Sequence, residues 1–180
     1  MNQTGKKSLI ALIAVTILVA IDQWSKSLVS TKLALHEAVS VIDGVFQIRY
    51  IRNSGMAWSM FEGKQVVFCV ITPIIVFFLI KEFICLPGDS KYTPIRVLCV
   101  FLTAGAIGNL IDRIWGGEEL FAGSVVDFFD FCLINFPVFN VADIYVTCSV
   151  IALFLFMFFK YKDEDFEVII NSCTKFKKGE

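Results

Sequence analysis

The sequence predicts an α-helical integral membrane protein with four transmembrane helices. It also predicts a small extracytoplasmic β-sheet between spans 1 and 2 and a short interfacial helix between spans 3 and 4. Hydrophobic residues make up 57% of the 180 residues, against roughly 45–50% in an ordinary soluble domain. The mean hydropathy is +0.73, and the chain has 19 Phe residues. A soluble fold of this size could not bury so much apolar surface, so we expect a bilayer as the solvent.

Four apolar stretches reach the length of about 20 residues that a spanning helix needs. They cover approximately residues 9–29, 66–86, 95–115 and 139–159. The second contains Pro73, which predicts a kink. We treat residues 1–160 as one transmembrane domain. The remaining residues, 161–180, are expected to form a cytoplasmic tail that is either an interfacial helix or disordered.

The distribution of basic residues predicts the orientation, because cytoplasmic loops are enriched in Lys and Arg. With both termini in the cytoplasm, ten basic residues lie inside and six lie outside. Lys6 and Lys7, followed by a short apolar run, also fit a cleavable secretory signal. The three further spans and the lack of a clear Ala-x-Ala site favour a retained first span.

Composition argues against several other classes of protein. The net charge of −1 argues against a nucleic-acid partner. None of the six Cys residues forms a Cys-x-x-Cys pair, so we expect no disulfide framework, no metal site and no cofactor. The chain has no evident internal repeat, which is the usual pointer to an inverted-repeat transporter.

The two extracytoplasmic segments differ in character. Asp43-Gly44 separates the apolar runs 39–42 and 45–51, which is a strong signal for a two-residue hairpin. We expect this hairpin to form a small twisted sheet at the outer membrane surface. The second segment, 116–137, is rich in aromatic residues and is expected to lie in the interface as the short helix.

Carboxylates converge at one depth of the predicted bundle. Charged residues within membrane segments are costly and indicate function by default. Asp22 lies near the outer end of span 1, Asp112 near the outer end of span 3, and Asp143 near the outer start of span 4. Asp127 lies in the outer segment between spans 3 and 4. This convergence predicts a functional site at the outer face.

Local spacing adds detail to this site. Asn109 precedes Asp112 by three residues, as Asn140 precedes Asp143, so each pair would share a helix face. An Asn side chain could then donate a hydrogen bond to the carboxylate. Asp residues at span ends can also simply cap helices or meet headgroups. Sequence physics alone does not decide whether Asp127 or the nearby Asp130 belongs to the site.

Five short motifs resemble those of the lipoprotein signal peptidase (signal peptidase II) family, in the family's order. They are Asp22-Gln23-Trp24-Ser25-Lys26, Asn53-Ser54-Gly55-Met56-Ala57-Trp58-Ser59, Gly108-Asn109-Leu110-Ile111-Asp112-Arg113, Val126-Asp127-Phe128 and Phe139-Asn140-Val141-Ala142-Asp143. Met56 and Trp58 stand where the family usually has Ala and Phe, which bears on the shape of a loop expected to cover the substrate. The stretch 114–124 and the tail are longer than is usual.

The resemblance implies an intramembrane aspartic endopeptidase with Asp127 and Asp143 as the catalytic pair. Supporting or substrate-binding roles would fall to Asp22, Lys26, Asn53, Gly55, Asn109, Asp112, Arg113 and Asn140. The implied substrate is a bacterial prolipoprotein whose Cys carries diacylglycerol, cut just before that Cys. Implied partners are membrane lipid and a cyclic-peptide inhibitor of the globomycin type. The implied location is the bacterial inner membrane, with the site near the periplasmic face.

Three other functions are compatible with parts of the sequence. A serine–lysine signal peptidase could use Ser25, Ser54 or Ser59 with Lys26 or Lys64. A proton-coupled transporter could use the buried carboxylates as a relay. A non-catalytic scaffold could use Asn and Asp to join helices. The serine–lysine alternative leaves the converging carboxylates unexplained.

Overall fold

The computed structural model describes residues 3–55 and 65–175. Five α-helices, three strands and two short 3₁₀ helices lie within these residues. In chain order they are α1 (Gln3–Lys32), β1 (Ala38–Ile42), β2 (Phe46–Asn53), α2 (Gln65–Cys85), a 3₁₀ helix (Ser90–Tyr92), α3 (Thr93–Trp115), β3 (Val125–Asp130), a 3₁₀ helix (Cys132–Ile134), α4 (Val141–Phe159) and α5 (Asp163–Lys175).

The four predicted spans are confirmed as helices long and apolar enough to cross a membrane. Helix α1 has 30 residues, against the 21 of the predicted range 9–29, and is therefore about 45 Å long. It continues past its apolar run because the polar side chains Asp22 and Lys26 are satisfied inside the bundle. Helix α2 has no buried residue, so its side chains are available to lipid.

Helix α3 is the centre of the bundle and packs against α1, α2 and α4. Two of its glycines allow this close approach. A Cβ at Gly105 would lie 2.6 Å from the backbone oxygen of Ala142, and one at Gly108 would lie 2.5 Å from Oδ2 of Asp22. The small residues of α3 thus bring α1 and α4 close enough for their polar side chains to meet.

Gly108→Ala is therefore expected to lower the free energy of unfolding by about 1–3 kcal/mol, because the added methyl displaces the Asp22 carboxylate. Gly88→Ala makes the same chemical change where nothing lies within 4 Å and is the matched control. Thermal unfolding in detergent would compare the two. Equal midpoints for the two variants would contradict the tight packing at Gly108.

The β-sheet is antiparallel and has the order β1-β2-β3. The predicted hairpin is present, but its turn has three residues, Asp43 to Val45, and not two. Gly44 adopts a positive φ of 69°, and Ile42 pairs with Phe46 across the turn. A three-residue turn with Gly in the left-handed region accompanies a bulge, which explains the extra residue.

Between spans 3 and 4, where the sequence predicts a short helix, the structure also has strand β3. Residues 125–130 pair with β2, and helical structure is limited to the single 3₁₀ turn Cys132–Ile134. Strand β3 is nearly all buried, with Val126 and Phe128 packed against Val29 and Tyr50. This burial and the pairing with β2 stabilise the extended backbone.

Helix α5 folds back onto the end of the bundle opposite the sheet. Asp165 forms a salt bridge of 2.5 Å with Lys91, and the Tyr161 ring stacks on Tyr92 at 6.1 Å. Phe166 and Ile169 pack against the buried cluster formed by Leu86, Tyr92, Ile95, Cys99 and Tyr161. The tail predicted as helical or disordered is thus helical to Lys175.

Candidate active site

The site lies where the C-terminal parts of α1 and α3 and the start of α4 meet strands β2 and β3. The four carboxylates predicted to converge all lie there; Asp22, Asp112 and Asp127 are buried and Asp143 is half-buried, and hydrogen bonds and ion pairs link them through shared partners. They divide into two groups. Asp127 and Asp143 are held by amide donors, whereas Asp22 and Asp112 flank a lysine.

Asp127 is held between two asparagine side chains. Its Oδ2 accepts a hydrogen bond from Asn53 Nδ2 at 2.9 Å, and its Oδ1 accepts one from Asn140 Nδ2 at 2.6 Å. The side chain is 2% exposed. Burial, with the nearby charge of Asp143, raises the pKa of Asp127 to about 7, although Asn53 and Asn140 favour the ionised form.

Asp143 is held at the first turn of α4. Its Oδ2 accepts from the backbone N–H of Asn140 at 3.1 Å, and its Oδ1 accepts from Asn109 Nδ2 at 2.8 Å. Asn140 is the N-cap, and its Oδ1 accepts from the Asp143 N–H at 3.0 Å. Asn140 therefore contacts both carboxylates of the pair and fixes their relative position.

Asn109 and Asp112 share a face of α3, where both contact Lys26, but the side-chain hydrogen bonds predicted within each Asn–Asp pair are not formed. Asn109 does not serve Asp112 on its own helix but reaches across from α3 to Asp143 on α4. Asn140 does not lie on a helix face, because it precedes the helix as a cap, and its side chain reaches Asp127 on β3. The asparagines thus join elements that are distant in sequence.

Lys26 forms an ion pair with both carboxylates of the second group. Its Nζ lies 2.8 Å from Asp22 Oδ2 and 3.0 Å from Asp112 Oδ2, and it donates to Asn109 Oδ1 at 2.8 Å. These partners engage all three donors of the ammonium group, which is 3% exposed. Ser25 donates to the Asp22 backbone oxygen at 2.7 Å. A serine–lysine peptidase needs a lysine that is free to accept a proton from the serine. Ser25 and Lys26 therefore do not meet this requirement.

Asp22 and Asp112 also tie the helices to their neighbours. Asp22 Oδ1 accepts from the Ala142 N–H at 2.9 Å at the start of α4, and Asp112 Oδ2 accepts from the Val126 N–H at 3.2 Å in β3. The two elements that carry Asp127 and Asp143 are thereby anchored to the lysine group.

Two residues of the site were not predicted. Gln23 Nε2 donates to Asp22 Oδ2, Gly108 O and Asp112 Oδ1 at 3.0–3.2 Å. Arg52 donates to Gly116 O at 2.7 Å and to Ser124 O at 3.3 Å, holding the segment that leads to β3. The sequence signal that could have identified Gln23 is its place inside the first motif. For Arg52 the sequence has no such signal beyond the positive charge of the side chain.

The loop that the sequence predicts to cover the substrate is described only up to Gly55. The Gly55 N–H donates to Asn53 Oδ1 at 2.9 Å, and Gly55 O accepts from Arg113 Nη2 at 3.3 Å. The Arg113 guanidinium also lies 4.7 Å from the centre of the Phe68 ring. Arg113 thus joins the start of this loop to α2 and α3. Met56 and Trp58 lie outside the described residues.

Asp130 is separated from the site. It lies three positions after Asp127 on β3, and an odd spacing places side chains on opposite faces of a strand. Asp130 accepts from Gln47 Nε2 at 2.6 Å and lies 3.9 Å from Arg49. The sequence does not decide between Asp127 and Asp130 as the site residue. Of these two, only Asp127 accepts a hydrogen bond from Asn140.

Comparison with known proteins identifies the family of this chain. The sequence model of a family described as Signal peptidase (SPase) II matches residues 14–159. The chain belongs to the signal peptidase II family. It is 39% identical over 145 residues to a protein of Enterococcus faecalis named lipoprotein signal peptidase, covering 78% of this chain and 83% of that protein. A relative of the same name from Geobacillus kaustophilus is 38% identical over 143 residues, covering 78% of this chain and 88% of that protein.

A solved bacterial membrane enzyme has the same fold as this signal peptidase II family member. The TM-score is 0.70 at 33% sequence identity, covering 86% of this chain and 93% of that one. The family match begins inside α1 at Ala14, includes α2 to α4 and β1 to β3, and ends at Phe159. Helix α5 therefore lies beyond the part of the chain that the family model matches.

Proposed function

We propose that this peptidase is an intramembrane aspartic endopeptidase in which Asp127 and Asp143 form the catalytic pair. The observation that carries the proposal is the pair itself. Asp127 is buried and Asp143 half-buried, the charge of Asp143 acts on Asp127, and Asn140 donates a hydrogen bond to each carboxylate. Each of their four oxygens accepts a hydrogen bond from an N–H group.

Such a pair can divide acid and base functions between its members. Two neighbouring carboxylates in a buried site cannot both ionise easily, so they hold one proton between them near neutral pH. The ionised carboxylate accepts a proton from the attacking water, while the protonated one donates a hydrogen bond to the scissile carbonyl. General acid–base catalysis of this kind contributes about 10²–10⁴-fold for each group.

The proposed substrate is a prolipoprotein whose Cys carries diacylglycerol, and the proposed cut lies just before that Cys. The name lipoprotein signal peptidase, printed for the relatives, supports this substrate class. The site also lies at the end of a helical bundle whose outward side chains are apolar, so a lipid-anchored peptide could reach it from the bilayer. A cyclic-peptide inhibitor of the globomycin type would compete for the same site.

An assay of peptide cleavage tests this function. The purified full-length chain in detergent would be incubated with a diacylglyceryl-modified prolipoprotein, and loss of the signal peptide would be followed by mass spectrometry. We expect one cut before the modified Cys and no cut in the same precursor without diacylglycerol. Equal cleavage of both precursors would contradict the proposed substrate class.

The activity is expected to fall as the pH rises above about 7. The pKa of Asp127 is raised to about 7, so its proton is present below that pH and is lost above it. Above the upper pKa of the pair, kcat/KM should fall about tenfold per pH unit. Asn53→Ala removes a hydrogen bond that favours the ionised form, so it should move the alkaline limb to higher pH. A flat profile between pH 6 and 9 would contradict the shared proton.

The proposed orientation puts both termini in the cytoplasm and the site near the periplasmic face of the inner membrane. Cys132 is exposed beside the sheet, and Lys162 is exposed at the opposite end of the bundle. In intact spheroplasts a membrane-impermeant maleimide should label a variant that retains only Cys132. It should not label a cysteine-free chain that carries Lys162→Cys until the membrane is permeabilised. The reverse labelling pattern would overturn the orientation.

A further inference from the structure

A lipid-facing groove lies at the end of the bundle opposite the carboxylate pair. Its volume is about 480 Å³, and residues of α1, α2 and α3 form its walls. The apolar wall includes Ala11, Ala14 and Leu18 of α1, facing Val100 and Phe101 of α3. Because the groove is remote from Asp127 and Asp143, the proposed peptidase mechanism gives it no role.

Two cationic side chains, Lys7 and Arg96, line the groove. They lie at its end nearest the turn between α2 and α3. Lys7 Nζ donates to Gly88 O at 3.0 Å, and Arg96 Nη2 donates to Leu86 O at 2.8 Å and to the Pro87 oxygen. These acceptors are backbone carbonyls, which carry no net charge. Within residues 3–55 and 65–175, neither cation forms a salt bridge with an acidic side chain.

The guanidinium of Arg96 retains hydrogen-bonding capacity. The side chain is only 7% exposed, and its hydrogen bonds to described residues use Nη1 and Nη2 but not Nε. The nearby Asp89 carboxylate is used elsewhere, because its Oδ1 accepts from the Lys91 N–H at 2.8 Å. A buried cation without an acidic partner is costly, so an anion at this position would stabilise it.

The length of the groove matches one leaflet. From Lys7 to Leu18 helix α1 rises about 16 Å, and half of a hydrocarbon core is about 15 Å. A phosphate held at Lys7 and Arg96 would therefore place an acyl chain along the whole apolar wall. Basic pockets between helices on the cytoplasmic side are suited to the headgroups of anionic lipids.

We propose that this groove binds an anionic phospholipid of the cytoplasmic leaflet, with its phosphate between Lys7 and Arg96 and one acyl chain between α1 and α3. The charge complementarity distinguishes this occupant from a neutral lipid or a second copy of the chain. The bound lipid would bridge α1 to α3 at the end of the bundle where Lys7 already contacts the α2–α3 turn.

Native mass spectrometry of the delipidated full-length chain tests the proposal, with phosphatidylglycerol and phosphatidylcholine of identical acyl chains as probes. Phosphatidylglycerol should bind at least about fivefold more tightly, and Lys7→Gln should weaken its binding about fivefold. Lys6→Gln removes the same charge from an exposed neighbour that does not line the groove, and it should change little.

A second pair of variants tests the groove without changing charge. Ala14→Phe fills the apolar wall and should abolish the tight binding of phosphatidylglycerol. Ile13→Phe places the same phenyl ring at an exposed position outside the groove and should leave binding intact. Equal binding of the two lipids would overturn the proposal. So would equal effects of Lys7→Gln and Lys6→Gln, or of Ala14→Phe and Ile13→Phe.

Discussion

Asp127→Asn and Asp143→Asn are each expected to lower kcat/KM by at least about 10³-fold, because each removes one group of an acid–base couple. The change is nearly isosteric, and each carboxylate is held by N–H donors that an amide oxygen can still partly satisfy. The loss should therefore lie in the chemical step. Single-turnover cleavage of the diacylglyceryl-modified precursor would measure it.

Asp130→Asn is the matched control for the catalytic pair. Asp130 is a buried carboxylate on the same strand as Asp127, but it faces Gln47 and Arg49. We expect its substitution to change kcat/KM by less than about tenfold, since no acid–base step depends on it. Thermal unfolding of all three variants would separate lost chemistry from misfolding. Near-normal turnover by a folded Asp127→Asn or Asp143→Asn variant would mean that the pair is misassigned.

Lys26→Met is expected to lower the free energy of unfolding by about 3–5 kcal/mol, because breaking a buried ion pair leaves charge without a partner. Lys26 is 3% exposed and lies within 3.0 Å of carboxylate oxygens of both Asp22 and Asp112. Its removal would leave two buried acidic side chains facing each other. Equilibrium unfolding in mixed detergent would measure the loss.

Lys32→Met is the control for this second prediction, since Lys32 lies exposed at the end of the same helix. It should change stability by less than about 0.5 kcal/mol. Adding Asp22→Asn to Lys26→Met should recover part of the loss, because one of the two unpaired carboxylates is then neutral. A Lys26→Met chain as stable as the Lys32→Met chain would show that this buried cluster contributes little.

The spans and the layer of carboxylates were predictable from the sequence for simple physical reasons. A bilayer demands long apolar helices, and alternate spans run in opposite directions, so Asp22, Asp112 and Asp143 had to lie near one face. Burial of charge in such a bundle requires partners. The ammonium group of Lys26 provides one for both Asp22 and Asp112.

Strand β3 was not predictable by the same means. Its partner is β2, more than 70 residues earlier, since Asn53 pairs with Val125. Residues Val125 to Phe128 are all buried, so the alternation that marks a half-exposed strand is absent. Of the aromatic side chains in the segment 116–137, Phe128 is buried beneath the sheet, whereas Phe121, Phe131 and Phe136 are exposed.

Local sequence rules also could not predict which residues the asparagine side chains contact. Spacing of three residues predicts a shared face only when both residues lie within a helix, and Asn140 precedes α4 as its cap. Gln23 carries no charge, so the cost of burying charge does not mark it in the sequence, although it bridges Asp22 and Asp112. Tertiary geometry decides which amide serves which carboxylate.

The most direct measurement of the central claim is kcat/KM for the double variant Asp127→Asn/Asp143→Asn beside the two single variants. Groups that act as one unit are strongly non-additive. We predict that kcat/KM of the double variant is within about tenfold of kcat/KM of either single variant, because the loss of one carboxylate already disables the pair. If the double variant instead lost activity by the product of the two single effects, Asp127 and Asp143 would act independently, and the shared-proton mechanism would be wrong.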